Sequence, residues 1–246
     1  MVHRPLRDSA SLTDTKVYHL ADFLSCTDRD QGKGGSILPT SADPDGAWSP
    51  LSLPGVRALF ARAGFPWWVA GGHALDLFVG HPTRPHGDID VSIFREDAPT
   101  LHRLLGGWDL HGAHAGVLTR WTTSSMDPPT TSIWCRTTPG QPWSLQVMFD
   151  EGTGAEWVCH RHADIRLPLR EVIAHAPSGL PYLRPEIQLL LKAKGTRPKD
   201  DADFTLVFPL LTPEARRWLN EALRRHYPDH AWLRKGDRRG PKGRTE

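Results

Sequence analysis

Between Phe65 and Val91 the chain switches quickly between strand and helix periodicity, and no other stretch constrains the fold as tightly. Phe65 to Ala70 is a short run rich in aromatic residues, suited to a buried strand. It stops at Gly71-Gly72, after which His73 to Val79 takes up a helical rhythm that ends at Gly80. Ile89 to Phe94 then reads as a second strand. A strand, turn, helix and strand in such close succession call for layered packing of helices on a sheet. Glycine and proline, 22 of each, interrupt the rest of the chain so often that a bundle of long helices is excluded.

The remaining segments extend this unit. Leu53 to Ala63 has helical spacing and stops at Gly64, and Ala98 to Leu105 reads as a helix ending at Gly106-Gly107. Val117 to Thr122, Ser132 to Arg136 and Ser144 to Phe149 read as strands of the same sheet. After Asp150 the texture changes, and Pro185 to Lys194, Lys199 to Phe208 and Pro213 to His226 read as three helices set off by proline or glycine. The expected fold is α+β: a mixed sheet core with flanking helices, then a small C-terminal helical lobe. The expected organisation is an N-terminal segment over 1–46 with too few aliphatic anchors to fold by itself, a core over 47–152, a strand and helical lobe over 153–233, and a basic flexible tail over 234–246.

Lys and Arg number 30 against 28 Asp and Glu, a balance that disfavours a dedicated nucleic-acid binder. No apolar run approaches the ~20 residues of a membrane helix, so no membrane partner is expected. Cys26, Cys135 and Cys159 are too few and too widely spaced for a disulfide framework or a zinc signature, which favours a reducing compartment and a cytoplasmic location.

The chemistry is concentrated in Val69-Ala-Gly-Gly-His-Ala-Leu-Asp76 and Arg84-Pro-His-Gly-Asp-Ile-Asp-Val91. Gly71-Gly72 at a helix start would let a bulky anion approach the backbone, and the amides of the first helical turn can hold phosphate oxygens. A purely structural turn is the alternative. On a strand, Asp88 and Asp90 would project from one face, about 6–7 Å apart, with Ile89 and Val91 turned to the core. Two carboxylates on one face repel unless a cation lies between them, and such hard oxygen ligands suit Mg²⁺ carried in with substrate phosphates. An isolated Asp-x-Asp is often a solvated strand edge, but the diglycine 16 residues upstream weighs against that here. Arg84 and His86 flank the same cleft. His160 and His162 are as well explained by alternation along a strand as by metal binding, and Trp67, Trp68, Trp134, Trp143 and Trp157 read most simply as core.

These residues resemble the signature of nucleotidyltransferases of the DNA polymerase beta type. More narrowly, Gly71-Gly-His-Ala-Leu-Asp76 with Arg84-Pro-His-Gly-Asp-Ile-Asp90 is similar to the aminoglycoside and lincosamide nucleotidyltransferases. Pro185-Glu-Ile-Gln-Leu-Leu-Leu-Lys-Ala-Lys194 and Arg197-Pro-Lys-Asp-Asp-Ala-Asp-Phe204 resemble their helical lobe. The resemblance implies transfer of a nucleoside monophosphate from ATP or another nucleoside triphosphate to a hydroxyl of a small molecule, an aminoglycoside-like antibiotic being the first guess. Gly71 and Gly72 would hold the triphosphate, with Arg84, Lys192 and Lys194 as further nucleotide contacts. Asp88 and Asp90 would bind two Mg²⁺ ions. The third acid of the family is expected from the strand Ser144-Leu-Gln-Val-Met-Phe-Asp150; there Gln146 occupies the place where relatives often carry the carboxylate, and Asp150, on the same face, is the expected third ligand or base. Lys199 and Asp200 open a helix, where Asp200 is as well suited to capping as to catalysis. Two alternatives stand beside this reading: a toxin-type transferase acting on RNA or protein, and a nucleotide-binding domain that has lost catalysis, which Gln146 motivates.

Overall fold

Ser52 opens the first helix among the described residues, α1 (Leu53–Phe60): its hydroxyl accepts from the Gly55 amide at 3.2 Å, and Pro54 occupies a position in the first turn where no amide is needed. The structure, a computed structural model, describes residues 15–17 and 46–237 other than 116, 124, 127 and 154. After α1 come β2 (Trp67–Val69), α2 (Gly71–Val79), β3 (Asp90–Phe94) and α3 (Ala98–Leu104). Then follow β4 (Asp109–His114), β5 (Val117–Arg120), β6 (Ser132–Arg136), β7 (Leu145–Gly152), β8 (Glu156–Cys159), β9 (His162–Pro168), β10 (Ile173–His175) and β11 (Pro181–Leu183). The described residues finish with α4 (Pro185–Lys192), α5 (Pro198–Val207), α6 (Pro213–His226) and α7 (Ala231–Asp237). Thr15–Val17 forms β1.

The sheet runs β1-β5-β4-β6-β7-β3-β2-β11-β10, with β8 and β9 branching from the end of β7. It is mixed, because β3 pairs in parallel with β7 and β11 with β2 while the other pairs are antiparallel. Period-two alternation sorts its faces. Val91, Ile93, Ile133, Val147 and Phe149 are buried on one face against Val56 and Phe60 of α1 and Leu101 of α3. On the other face Trp68, Phe94 and Trp157 join Ala74 of α2 and Tyr182 in a second core. A third core holds the helical lobe together: Leu189, Leu190, Phe204, Leu219, Leu223 and Trp232, with Leu75 of α2 set among them. So α2 is anchored to sheet and lobe at once.

The α+β expectation holds, with the mixed sheet, flanking helices and C-terminal helical lobe in place. Two boundaries change. Thr15–Val17 pairs antiparallel with Val117–Thr119, so part of the 1–46 segment has a place in the sheet. Arg234–Asp237 continues α7 rather than starting a tail, because Trp232 is fully buried and Lys235 Nζ lies 2.9 Å from the Asp201 carboxylate. The rest of 1–46 up to residue 45, and residues 238–246, lie outside the described residues. His160 and Arg161 form the turn between β8 and β9, not a continuous strand. Cys135 and Cys159 are unpaired and buried. Among the described residues no helix is long and apolar enough to cross a membrane.

Candidate functional site

A cavity of about 530 Å³ lies between the polar face of the sheet and helices α4 and α5. Gly71, Gly72, Asp88, Asp90, Asp150, Arg84, Lys192 and Lys194 all line it, so the residues expected to hold nucleotide or metal come to one cavity. What they do there differs.

The diglycine makes room for neighbouring side chains. Gly71 adopts φ +65°, and a Cβ at this position would collide with the Asp90 carboxylate. A Cβ on Gly72 would strike the His86 ring and come within 2.9 Å of an Arg84 guanidinium nitrogen. The Gly71 amide donates to Gln188 Oε1 of α4 at 2.8 Å. Of the amides that begin α2, Gly71's is therefore used within the protein, and Gly72 and His73 supply the donors of that first turn.

The strand β3 begins at Asp90, not Asp88; Asp88 is exposed in the loop before it, and the buried Ile89 separates the two. Both carboxylates nevertheless line the cavity. Burial, and then the charge of Asp88, push the Asp90 carboxyl up to about 7, against the pull of Lys192, Lys199 and Arg197. A pair held in this way gains from a cation, and its all-oxygen donor set fits Mg²⁺.

Strand register decides the position of the third acid. Asp90 is paired with Gln146, whereas Asp150 is paired with Phe94, four residues further along β7. That places Asp150 about 13 Å from the Asp90 row at the ordinary rise of a strand, too far to share one ion with Asp90. Asp150 is buried at 4% exposure and lies 3.3 Å from His160 Nδ1. The expectation that Asp150 completes the metal ligands is therefore corrected: it lines the far end of the cavity. Gln146, the neighbour of Asp90, directs its amide nitrogen to Ser132 Oγ at 3.3 Å.

The cations divide into two groups. Lys192 Nζ lies 2.8 Å from Asp200 and 3.0 Å from Asp203, with only 8% of its side chain exposed. Arg84 forms a two-pronged pair with Asp203 at 2.9 and 3.0 Å. This hydrogen bond raises the already high pKa of Arg84. Asp200 also receives Arg197, through its side chain at 2.8 Å and its backbone amide at 3.1 Å, which completes a capping box at the start of α5. Burial opposes ionisation of Asp200, but the bonds from Arg197 and Lys192 prevail and hold it at about 2. Asp203 is likewise lowered by Arg84 and Lys192 against its burial. Arg84 and Lys192 thus join the lobe to the core through these pairs while also lining the cavity. Lys194 and Lys199 are exposed on the cavity wall, and burial followed by Arg197 lowers the Lys199 pKa.

Sequence reasoning missed Asp76, Gln188 and Asp203. Asp203 follows Asp200 by one helical step of three, the one local sign that two acids share a helix face. Nothing local shows that Gln188 meets Gly71, because the two are separated by 117 positions.

Residues 52–117 match the family model described as aminoglycoside-2''-adenylyltransferase, a span that contains α1 to the diglycine helix and both cavity aspartates of β3 and its loop. Among solved structures, antibiotic-resistance factor ANT(2'')-Ia in solution is 17% identical, with 75% of this chain and 94% of that one covered at a TM-score of 0.48. A crystal structure of ANT(2'')-Ia with adenylyl-2''-tobramycin is 17% identical, covering 70% and 94% at 0.47. The lincomycin-bound lincosamide antibiotic adenylyltransferase LnuA is 13% identical, covering 63% and 94% at 0.45. The matched family and these structures are nucleotidyltransferases. No curated protein matches the chain.

Proposed function

We propose that the protein is a Mg²⁺-dependent nucleotidyltransferase that moves a nucleoside monophosphate, AMP from ATP in the first instance, onto a hydroxyl of a small molecule in the cytoplasm. One observation carries this reading: Asp88 and Asp90 share a cavity with the start of a glycine-led helix and with two exposed lysines, Lys194 and Lys199. The family match over 52–117 supports it independently.

Asp88 and Asp90 would hold the metal, and when bound it supplies charge stabilisation for the attacking and departing oxygens. The amides of Gly72 and His73 offer donors to phosphate oxygens. Lys194 and Lys199 offer charge to a departing pyrophosphate. An acceptor oxygen bonds to the α-phosphorus as the bond to pyrophosphate breaks, and the hydroxyl proton passes to water in the open cavity. Positioning the two substrates in one cavity supplies much of the rate.

The lining carries six cationic side chains and four carboxylates. Two of those carboxylates are assigned to metal and Asp200 is neutralised within the protein. Arg84, Lys192 and Arg197 are neutralised in the same pairs, which leaves Arg161, Lys194 and Lys199 opposite Asp88, Asp90 and Asp150, a near balance that admits neutral and cationic hydroxyl compounds alike. The test is incubation with α-labelled ATP, Mg²⁺ and a panel that includes lincomycin and tobramycin, reading by mass which compound gains a nucleotide. Mg²⁺-dependent transfer that vanishes in Asp88→Asn and Asp90→Asn is the expected result. Gln146 beside Asp90 favours a second reading, a nucleotide-binding domain without catalysis; nucleotide binding with no pyrophosphate release across the panel would select it.

A further inference from the structure

His73, Asp76 and His86 bring one ligand atom each to within 4.8 Å of one another, a grouping that has the composition of a transition-metal site. The hydrogen bonds around it point elsewhere. Arg84 Nη1 lies 3.0 Å from His86 Nδ1. A guanidinium can only donate, so His86 Nδ1 must carry the lone pair and Nε2 the proton. Nε2 then donates to Asp76 Oδ2 at 2.7 Å. The other oxygen of Asp76 accepts from the Thr83 hydroxyl at 2.6 Å and the Thr83 amide at 3.0 Å. A metal on His86 Nε2 would require a proton on Nδ1, facing a guanidinium that also donates.

The other end of Arg84 is fixed as well, by its two bonds to Asp203 in the lobe, where Lys192 also lands. A continuous series therefore runs from Asp203 through Arg84 and His86 to Asp76 and Thr83, from α5 across the loop to α2. Its interior members are buried: the side chains of His86 and Asp76 are each 6% exposed. The loop it holds ends in Asp88, which is exposed, and Gly72 is bare at the point where the His86 ring passes. We infer that His86 is a positioning residue: held in one tautomer between Arg84 and Asp76, it fixes the loop that aims Asp88 at the cation site beside Asp90. The inference rests on the transferase reading above, in which these two aspartates hold metal.

The experiment measures Mn²⁺ affinity by electron paramagnetic resonance, with a non-hydrolysable ATP analogue present, in wild type, His86→Ala, His86→Asn and Arg84→Lys. The last keeps a cation for Asp203 but removes the donor to His86. His86→Ala and Arg84→Lys are expected to weaken Mn²⁺ about tenfold, the usual cost of losing a residue that orients a metal ligand. His86→Asn, which can still accept from Arg84, is expected to recover part of that loss. In ¹⁵N spectra the wild-type His86 ring is expected to carry its proton on Nε2. Unchanged Mn²⁺ affinity in whichever of the variants melts cooperatively overturns the inference while leaving the transferase reading intact. A Co²⁺ d–d absorption that disappears in His73→Ala overturns it in favour of a metal at the histidines. Wild-type protein that binds no Mn²⁺ with the analogue overturns both.

Discussion

The two walls of the cavity use charge in opposite ways. On the sheet wall burial and the charge of Asp88 outweigh the pull of Lys192, Lys199 and Arg197, and Asp90 is pushed up to about 7. On the lobe wall Asp200 and Asp203 are saturated with Lys192, Arg197 and Arg84, and Asp200 is held at about 2. The same residue type therefore sits beside like charge on one side and in close ion pairs on the other. On the proposed function, the difference separates acids kept for a ligand from acids that hold the protein together.

Substitutions break the comparison most sharply on the sheet wall. Asp90→Asn should reduce pyrophosphate release by about 10³-fold or more, with the fold intact by circular dichroism. Removing the repulsion should also raise the melting temperature of the metal-free protein. On the lobe wall Asp203→Ala would leave Arg84 without its carboxylate and facing Lys192, which keeps Asp200 alone. The expected cost is about 3–5 kcal/mol in a urea melt, the usual effect of removing one partner from a buried ion cluster.

Acid sharpens the same contrast. Asp200 sits at about 2 in the folded protein against an ordinary 3.8, so its stabilisation is complete above the ordinary value and is lost as pH falls between them. The loss comes to about 2 kcal/mol, readable from urea midpoints measured at a series of pH values between those limits. The smallest expected effect separates the lysines. Lys194→Ala, on an exposed side chain, should raise the KM for nucleotide a few-fold and leave stability within about 0.5 kcal/mol. Lys192→Ala should lower stability first, because its amine lies between Asp200 and Asp203.

The same division governs what could be read from the sequence. Gly71, Gly72, Asp88 and Asp90 lie within one strand–helix–strand unit, so spacing alone brings them together, and the helices of the lobe announce themselves through proline starts and apolar rhythm. The partners of Arg84 and Lys192 were not legible, because Arg84 reaches Asp203 across 119 positions and only tertiary packing chooses among several nearby acids. Asp150 illustrates a subtler limit. Alternation correctly put it on the face of Gln146, but distance along the strand depends on register with β3, and the pairing of Asp90 with Gln146 places Asp150 at the far end. Short strands such as β10 and β11 carry too few residues for a period to show.

Trp232 stacks on Phe204 with ring centres 4.4 Å apart and donates its indole proton to Asp201, so the final helix clasps the outer side of the element that bears Asp200 and Asp203. Trimming the chain at His230 would strip that clasp away, and the damage would be felt at the opposite surface of α5, where the nucleotide is expected to sit. Tags and fusions are therefore better joined beyond Asp237 than in place of the last turns.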